Sequence, residues 1–253
     1  MDGSVPGDLG SRALREGGEC GGGRAGVRIS RLRPLLPRAD RTSDGNRPTR
    51  PPSAAAGHLP FVANLIEPFA GAHAEAVAGR LLARFGSLNG ALVSPSALDD
   101  CDEDAEVLRK MRAARVLVLE AAREEIARRP VSAEDPSLHG YLRNLLGYLP
   151  HEVLHAVFLD GGLGYIADEC IACGSPGRLL GSTRRLFARA FELGAQGLIL
   201  AHNHPSGHAR PSEEDIATTT RIGDLAAELD LTLIDHLIVT RHQVFSFGAE
   251  GLL

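Results

Sequence analysis

Residues 197–215, GLILAHNHPSGHARPSEED, join an apolar strand to a segment rich in polar side chains. The run GLILAH is typical of a strand that is covered on both faces. A loop that only turned the chain would need Gly, Pro and Asn, so two histidines, a serine and an aspartate require a separate explanation. The segment therefore predicts a functional site at the end of a buried strand.

A bound metal ion is one explanation of the paired histidines. His202 and His204 are one residue apart at the end of a strand, where side chains alternate, so both point to the same side. Two neutral imidazoles suit a borderline metal such as zinc, and a catalytic zinc site needs a third protein ligand and one open position. Asp215 is the candidate third ligand, because the intervening loop contains two prolines and a glycine that let the chain fold back.

Helix capping is the alternative explanation of the downstream residues. Ser212 fits an N-cap position and Asp215 fits the third helical position, which together form a capping box. A histidine beside a strand can likewise be structural rather than a ligand. Both explanations stay open, although the coincidence of all four residues favours a metal.

The composition is that of a globular chain of 253 residues, with 43% hydrophobic residues and a net charge of -5. This length supports one sizeable core or two modest ones. No apolar run approaches the ~18 residues of a membrane span, and no apolar secretory signal is recognisable, so we expect a cytoplasmic protein without a membrane partner. Its four cysteines are then expected to be reduced.

Residues 1–57 differ from the rest of the chain. They are rich in Gly, Pro and Arg, and their arginines outnumber their carboxylates. With few apolar residues to bury, they predict a disordered tail. Its basic charge is compatible with nucleic acid, whereas the remaining chain is acidic.

Residues 58–135 predict a small helical unit. Val77, Leu81, Leu82 and Phe85 share one helical face, and Gly86 follows where a C-cap glycine is expected. Another helix is predicted to stop before Pro130. Its predicted inward residues are Val107, Met111, Ala114, Val118, Ala121 and Glu125.

Residues 136–253 predict an α/β (α+β) domain with a mixed central sheet flanked by helices. A helix at about residues 137–149 starts with Asp135 and Pro136 in the cap and first-turn positions. Further helices are predicted at 183–195 and 212–229. The first of these is expected to bury Leu186, Phe187, Ala190 and Phe191. Strands are predicted at 154–160, 163–172, 197–202, 231–240 and 243–247.

The pattern His202-x-His204, seven residues, Ser212, two residues, Asp215 resembles the JAMM metalloprotease motif of JAB/MPN domains. With HNHPSG at its centre, it resembles the bacterial RadC family more closely still. The resemblance covers nearly all of residues 138–250. It runs through HEVLHAVFLD (151–160), TRRLFARAFELGAQGLILAHNHPSG (183–207), PSEEDIATT (211–219) and DHLIVT (235–240).

This resemblance implies one zinc ion held by His202, His204 and Asp215, with water in the fourth position. It also implies that Glu152, in HEVLH, takes the proton of that water. Zinc lowers the pKa of bound water to ~7 and polarises a carbonyl, which hydroxide then attacks. Ser212 would donate a hydrogen bond to the developing oxyanion, a contribution of ~3 kcal/mol when the donor is preorganised.

The chain departs from the family pattern at two places. Arg184-Arg185 stands where the family usually has Arg-Glu, which reverses a charge near the surface. The family's amino-terminal unit commonly ends in a helix-hairpin-helix whose Gly-x-Gly turn can hold DNA phosphates. Here the corresponding segment reads DDCDEDAEV (99–107), and its carboxylates repel phosphate.

Three further groups have open interpretations. The pair Cys170-Ile-Ala-Cys173 is interpreted as two small half-buried residues, because structural zinc needs two more ligands and a redox pair normally opens a helix. Asp235 and His236 lie on opposite faces of a strand, where one of them supports the metal site or both are structural. His208 is an outer ligand, a proton carrier or an exposed loop residue.

The leading functional hypothesis is a zinc-dependent metallopeptidase or isopeptidase acting on a polypeptide or protein conjugate. The alternative is a DNA-repair-associated or DNA-processing factor in which the zinc site is secondary. A binding module with a vestigial site is a third possibility. Salt-sensitive DNA binding separates the second hypothesis from the first. The motif does not identify the substrate.

Overall fold

The computed structural model describes residues 55–94, 103–174 and 183–253. The tail predicted for residues 1–57 lies outside these ranges except for its last three residues, which begin the first helix. Cys20, Cys101 and residues 99–102 of the acidic segment 99–107 also lie outside these ranges, whereas its residues 103–107 are described. Among the helices within these ranges, none combines the length and apolar character needed to cross a membrane.

The predicted helical unit is present in the described residues. It contains α1 (Ala55–Ala70), a 3-10 turn (Gly71–His73), α2 (Ala74–Phe85), α3 (Leu88–Val93) and α4 (Glu103–Ile126). Gly86 ends α2 with a φ of 72°, and its N–H donates to the Leu82 carbonyl, as the sequence predicts. These helices share a core that includes Val62, Ile66, Val77, Leu81, Leu108 and Met111.

The inward stripe predicted for α4 is wrong over its second half. Val118 is 64% exposed, and Ala121 and Glu125 are also exposed, whereas Leu119 and Ile126 are buried. Both sets of positions satisfy steps of three and four, so periodicity alone does not choose between them. The buried stripe of α4 includes Arg115, whose guanidinium donates to the carbonyl oxygens of Asn144 and Leu145. Because an arginine lies in this stripe, the apolar pattern of the sequence does not identify it.

Helix α5 (Pro136–Leu146) connects the helical unit to the sheet. Asp135 is its N-cap and accepts a hydrogen bond from the Ser137 N–H at 2.8 Å, while Pro136 occupies the first turn. This start was predicted from the sequence and is confirmed. The buried side of α5 carries Leu138, Tyr141, Leu142, Leu145 and Leu146.

The rest of the described chain forms a five-stranded mixed sheet with two more helices. The elements are β1 (Val153–Leu159), β2 (Tyr165–Cys173), α6 (Thr183–Leu193), β3 (Gly197–Asn203), α7 (Glu213–Glu228), β4 (Thr232–Val239) and β5 (Val244–Ser246). The strand order is β2-β1-β3-β4-β5, and the β3–β4 pair is parallel while the other pairs are antiparallel. The predicted fold class is confirmed.

Alternating side chains of β1 and β3 enter two different cores. On one face, Val153, Val157, Ile199 and Ala201 pack with α5 and the end of α4. On the other face, Leu154, Ala156, Leu198 and Leu200 pack with α6 and α7. Because both central strands are covered on both sides, every residue of β1 and β3 is buried.

The inward face of α6 differs from the prediction at one residue. Leu186, Phe187 and Ala190 are buried as expected, but Phe191 is 56% exposed. Leu193, three residues after Ala190, packs against the core instead. A helix of this length covers the sheet with one stripe, and Phe191 lies about 100° away from Ala190.

Candidate metal centre

The paired histidines lie where the alternation of β3 predicts. His202 is 1% exposed near the end of the strand, and His204 follows it as a half-buried residue. Their Nε2 atoms are 2.9 Å apart. Both side chains point to the face covered by α6 and α7, so the start of α7 lies beside them.

Asp215 comes to the histidines from the first turn of α7. Its Oδ1 is 3.2 Å from His202 Nε2 and its Oδ2 is 3.4 Å from His204 Nε2. The three residues therefore form a group whose ligand atoms lie within 4.8 Å of one another and which can hold a metal ion. Whether these residues are the ligands stays a prediction, but the structure brings all three together.

The capping explanation is also correct, and it is compatible with the metal. The Ser212 hydroxyl accepts from the Asp215 N–H at 3.1 Å, while Asp215 Oδ2 accepts from the Ser212 N–H at 2.8 Å. The Ser212 hydroxyl also donates to Asp215 Oδ2 at 2.6 Å. Capping uses one carboxylate oxygen, so it orients Asp215 and leaves Oδ1 directed at His202.

A chain of hydrogen bonds fixes the tautomer of His202. Thr219 gives its one hydroxyl proton to the Asp215 carbonyl at 2.6 Å, so its oxygen accepts from His236 Nδ1 at 2.6 Å. Complete burial lowers the pKa of His236 well below its ordinary value, so this ring is neutral and its Nε2 is an acceptor. His202 Nδ1 therefore donates to His236 Nε2 at 2.8 Å, which leaves the lone pair on His202 Nε2.

His204 reaches the same state by a shorter route. Its Nδ1 lies 2.8 Å from the carbonyl oxygen of His208, and because a carbonyl only accepts, Nδ1 carries the proton. The lone pair of the neutral His204 ring is then on Nε2. Two lone pairs and a carboxylate converge on one point, and this arrangement is favourable only when a cation lies between them.

The pKa shifts at the site agree with this demand for positive charge. Protonation of His204 Nε2 would allow it to donate to Asp215, and this raises the pKa of His204, although burial acts in the opposite direction. Burial alone would raise the pKa of Asp215, but the neighbouring His202, His204 and Ser212 hold it well below its usual range. Asp215 is therefore ionised, and the cluster attracts a proton or a metal ion.

Glu152 immediately precedes β1, which pairs with β3, the strand that carries His202. It is half-buried, and its charge is one of those that raise the pKa of His204, which places its carboxylate in the field of the cluster. Asn203 holds the residues on both sides of it. The Val153 N–H donates to Asn203 Oδ1 at 2.8 Å, and Asn203 Nδ2 donates to the His151 carbonyl at 3.0 Å.

The remaining candidates separate clearly. His236 contacts His202 and thus supports the site, whereas Asp235 faces away and accepts from the Ser246 hydroxyl and the Gly248 N–H. His208 contributes its backbone carbonyl, and its side chain is exposed.

Thr219 and Asn203 were not anticipated from the sequence. Thr219 had a usable signal, because it follows Asp215 by four residues on the same face of a helix. Asn203 had the weaker signal of standing between the two histidines. Its partners His151 and Val153 are about fifty residues away in sequence, so their pairing depends on the β1–β3 register.

The fold is a mixed sheet covered by helices. It carries two histidines at the end of a central strand and an aspartate at the start of the next helix. This combination defines the class of proteins with a JAB-like domain and a candidate metal site. Residues 133–252 match the family model described as RadC-like JAB domain. The chain belongs to the UPF0758 family, as its similarity to the relatives below shows. The resemblance seen in the sequence is thereby confirmed.

Individual relatives support this membership. A UPF0758 protein of Burkholderia mallei (strain SAVP1) is 39% identical over 184 residues, which cover 70% of this chain and 64% of that relative. UPF0758 proteins of Leptothrix cholodnii and Rhodobacter capsulatus are each 37% identical over 179 residues, or 70% of this chain. The match covers 81% and 84% of those two relatives, respectively. The chain thus spans less than two thirds of the length of the Burkholderia relative.

Proposed function

We propose that this protein is a zinc-dependent hydrolase of amide bonds, acting as a metallopeptidase or isopeptidase on a polypeptide or protein conjugate in the cytoplasm. One observation carries the proposal. The hydrogen bonds of His202 and His204 leave both Nε2 lone pairs directed at the same point as the Asp215 carboxylate. Two imidazoles and one carboxylate are a known donor set of catalytic zinc, which keeps its fourth position open.

The spacing of the donor atoms supports zinc in particular. Zinc–ligand bonds of about 2.0–2.1 Å in a tetrahedron put neighbouring ligand atoms about 3.3 Å apart. In the cluster the two Nε2 atoms are 2.9 Å apart, Asp215 Oδ1 is 3.2 Å from His202 and Asp215 Oδ2 is 3.4 Å from His204. With one ligand atom from each residue, all the ligand atoms lie within 4.8 Å of one another, which is compatible with a single ion after the side chains adjust.

Two side chains would assist the reaction: Glu152 by transferring a proton and Ser212 by donating a hydrogen bond to the oxyanion. When bound, zinc supplies a water of lowered pKa and polarises the substrate carbonyl. Glu152 accepts the proton of the attacking water and returns it to the leaving nitrogen. Asn203, bonded to both neighbours of Glu152, holds this carboxylate in position. In this role Glu152 needs to be near the substrate, as its half-buried place allows.

Ser212 has one hydroxyl proton, which it gives to Asp215 Oδ2 at 2.6 Å. A cation at the cluster would interact with that carboxylate in place of the hydroxyl. The Ser212 hydroxyl could then donate its hydrogen bond to a substrate oxygen instead. The hydroxyl then donates to the oxyanion while its lone pair continues to cap α7.

The test is hydrolysis of a panel of peptide and isopeptide substrates by the purified full chain. We expect cleavage that a chelator abolishes and zinc restores. The variant Glu152→Gln should bind zinc normally and lose activity, whereas Glu228→Gln, an exposed residue at the end of α7, should keep it. No zinc-dependent cleavage of any substrate, or full activity of Glu152→Gln, would overturn the proposal.

A further inference from the structure

Cys170 and Cys173 lie on the same face of β2, although residues three apart in a regular strand point in opposite directions. The cause is a bulge. Ala172 pairs with Leu154 and Cys170 pairs with His155, so Ile171 is an extra residue between them. Ile171 and Ala172 accordingly pack on the α6–α7 face, while both cysteines pack on the opposite face.

The bulge brings the two sulfur atoms to 2.9 Å from each other. Both cysteines are free thiols, and both residues are half-buried rather than fully enclosed. Among the described residues, no other His, Cys, Asp or Glu completes a metal site around them. Disulfide sulfurs are about 2.05 Å apart, so bond formation requires an approach of roughly 0.9 Å.

The surroundings give the two thiols different acidities. A hydrogen bond from Cys170 and the positive charge of Arg185 lower the pKa of Cys173, although its partial burial acts against them. The same contact with Cys173, together with burial, raises the pKa of Cys170. Arg185 is held in place by a bond from its Nη1 to the Ile171 carbonyl at 3.1 Å, at the bulge itself. The lower pKa makes Cys173 the more readily ionised thiol of the pair, and Cys170 can donate to it.

We propose that Cys170 and Cys173 are a redox modification site that closes to a disulfide with small disulfides such as oxidised glutathione. The Cys173 thiolate attacks one sulfur of the small disulfide and expels a thiolate, forming a mixed disulfide. Cys170 loses its proton to that thiolate and attacks the Sγ of Cys173, which expels the second small thiolate. Two protein thiols are oxidised, one small disulfide is reduced to two thiols, and excess small thiol reverses the reaction.

The position of the pair links it to Glu152. Cys173 pairs with Val153, and the N–H of Gly174 donates to the Glu152 carbonyl at 3.0 Å. A disulfide that drew the backbone of Cys173 toward Cys170 would pull on this end of β2 and, through the Gly174 N–H, on the backbone of Glu152. Loss of hydrolysis on oxidation is the expected consequence, and this part alone rests on the proposed function.

The experiment uses the full chain carrying Cys20→Ser and Cys101→Ser, so that only the pair remains. After incubation with oxidised glutathione, we expect the mass to fall by two hydrogens and a peptide map to join Cys170 to Cys173. Dithiothreitol should restore both free thiols. In the same background, Cys170→Ser should instead keep a glutathione adduct on Cys173, and Arg185→Gln should slow the first step.

Two unlinked thiols, or stable glutathione adducts on both cysteines, would overturn the disulfide. These mass measurements do not depend on any hydrolase activity, so a failure of the proposed function would leave them unchanged. Equal activity of the oxidised and reduced protein, in a chain that does hydrolyse a substrate, would overturn the link to Glu152.

Discussion

Both faces of the sheet carry a histidine beside an aspartate, but the two carboxylates obtain their positive charge in different ways. On the α5 face, Asp168 accepts from His155 Nε2 at 2.6 Å, from the Tyr141 hydroxyl at 2.7 Å and from the Tyr165 hydroxyl. The Nε of Arg123 lies 2.8 Å from its other oxygen, Oδ1. The guanidinium completes this cluster with a charge that belongs to the chain.

Asp215, on the α7 face, has no such partner among the described residues. Its carboxylate contacts recorded in the described chain come from Ser212 and from two imidazoles whose lone pairs also need a cation. A histidine and an aspartate in contact therefore do not define a metal site. The deciding property is whether the protein itself supplies the positive charge, as Arg123 does at Asp168, or leaves it to be supplied from outside.

The largest expected effect is loss of metal from one cluster alone. His204→Ala removes one of the three proposed ligands. We expect elemental analysis to find about one zinc ion per chain in the wild type and almost none in the purified variant. His208→Ala, which alters an exposed side chain of the same loop, should keep the metal. Zinc retained by His204→Ala would mean that the convergent lone pairs are not the binding site.

The second prediction concerns the cluster that needs no metal. Asp168→Asn leaves the half-buried Arg123 without its carboxylate, and we expect a loss of about 3–5 kcal/mol in the free energy of unfolding, measured by denaturant titration. Asp104→Asn, which breaks a more exposed pair with Arg80, should cost about 0–1 kcal/mol. Equal losses in the two variants would contradict the expectation that the buried carboxylate contributes more to stability than the more exposed one.

The stability lost in Asp168→Asn is expected to depend on pH. Burial would raise the pKa of Asp168, but His155, Arg123 and Tyr165 hold it well below its usual range. A carboxyl whose folded-state pKa lies below the unfolded value of about 3.9 stabilises the fold above about pH 4 and loses this contribution as the pH falls further. The difference between wild type and Asp168→Asn should therefore shrink below pH 4.

A smaller effect is expected at His236, which contacts the proposed ligand His202 and is not itself part of the proposed ligand set. His236→Gln disrupts the chain from Thr219 to His202, and we expect zinc affinity to fall about 10–100-fold in competition with a chelating dye. His242→Gln, an exposed histidine after the same strand, is the control. Unchanged affinity in His236→Gln would show that the tautomer of His202 is fixed by other means.

The smallest predicted change separates capping from ligation. Ser212→Ala removes the N-cap of α7, and we expect a loss of about 1 kcal/mol in stability with the zinc content unchanged. Ser212→Asn, which keeps a capping oxygen, should recover most of that stability. Loss of zinc in Ser212→Ala would mean that the cap is required to aim Asp215.

The sequence predicts what depends on neighbouring residues. Strand alternation places His202 and His204 together, and the capping pattern places Asp215 in the first turn of α7. The inward phase of α4 was missed because Arg115 lies in its buried stripe and bonds carbonyls of α5, a contact between residues about thirty positions apart.

Contacts between distant residues explain the other omissions. The charge on Asp168 is balanced by Arg123, forty-five positions earlier in the chain, and no local pattern joins them. The role of Asn203 likewise requires the register of β1 against β3. Such pairings exist only after the sheet and its covering helices have formed.

The amide of Asn203 has a consequence for how this scaffold can vary. Because it ties the two neighbours of Glu152 to the strand that carries the histidines, the separation of Glu152 from His202 is set inside the sheet. Residues 205–211, between the last histidine and the cap of α7, reach the cluster through the backbone carbonyl of His208, which accepts from His204 Nδ1. Because that contact is made by the backbone, the exposed side chains of this loop can change while the placement of the two histidines is kept.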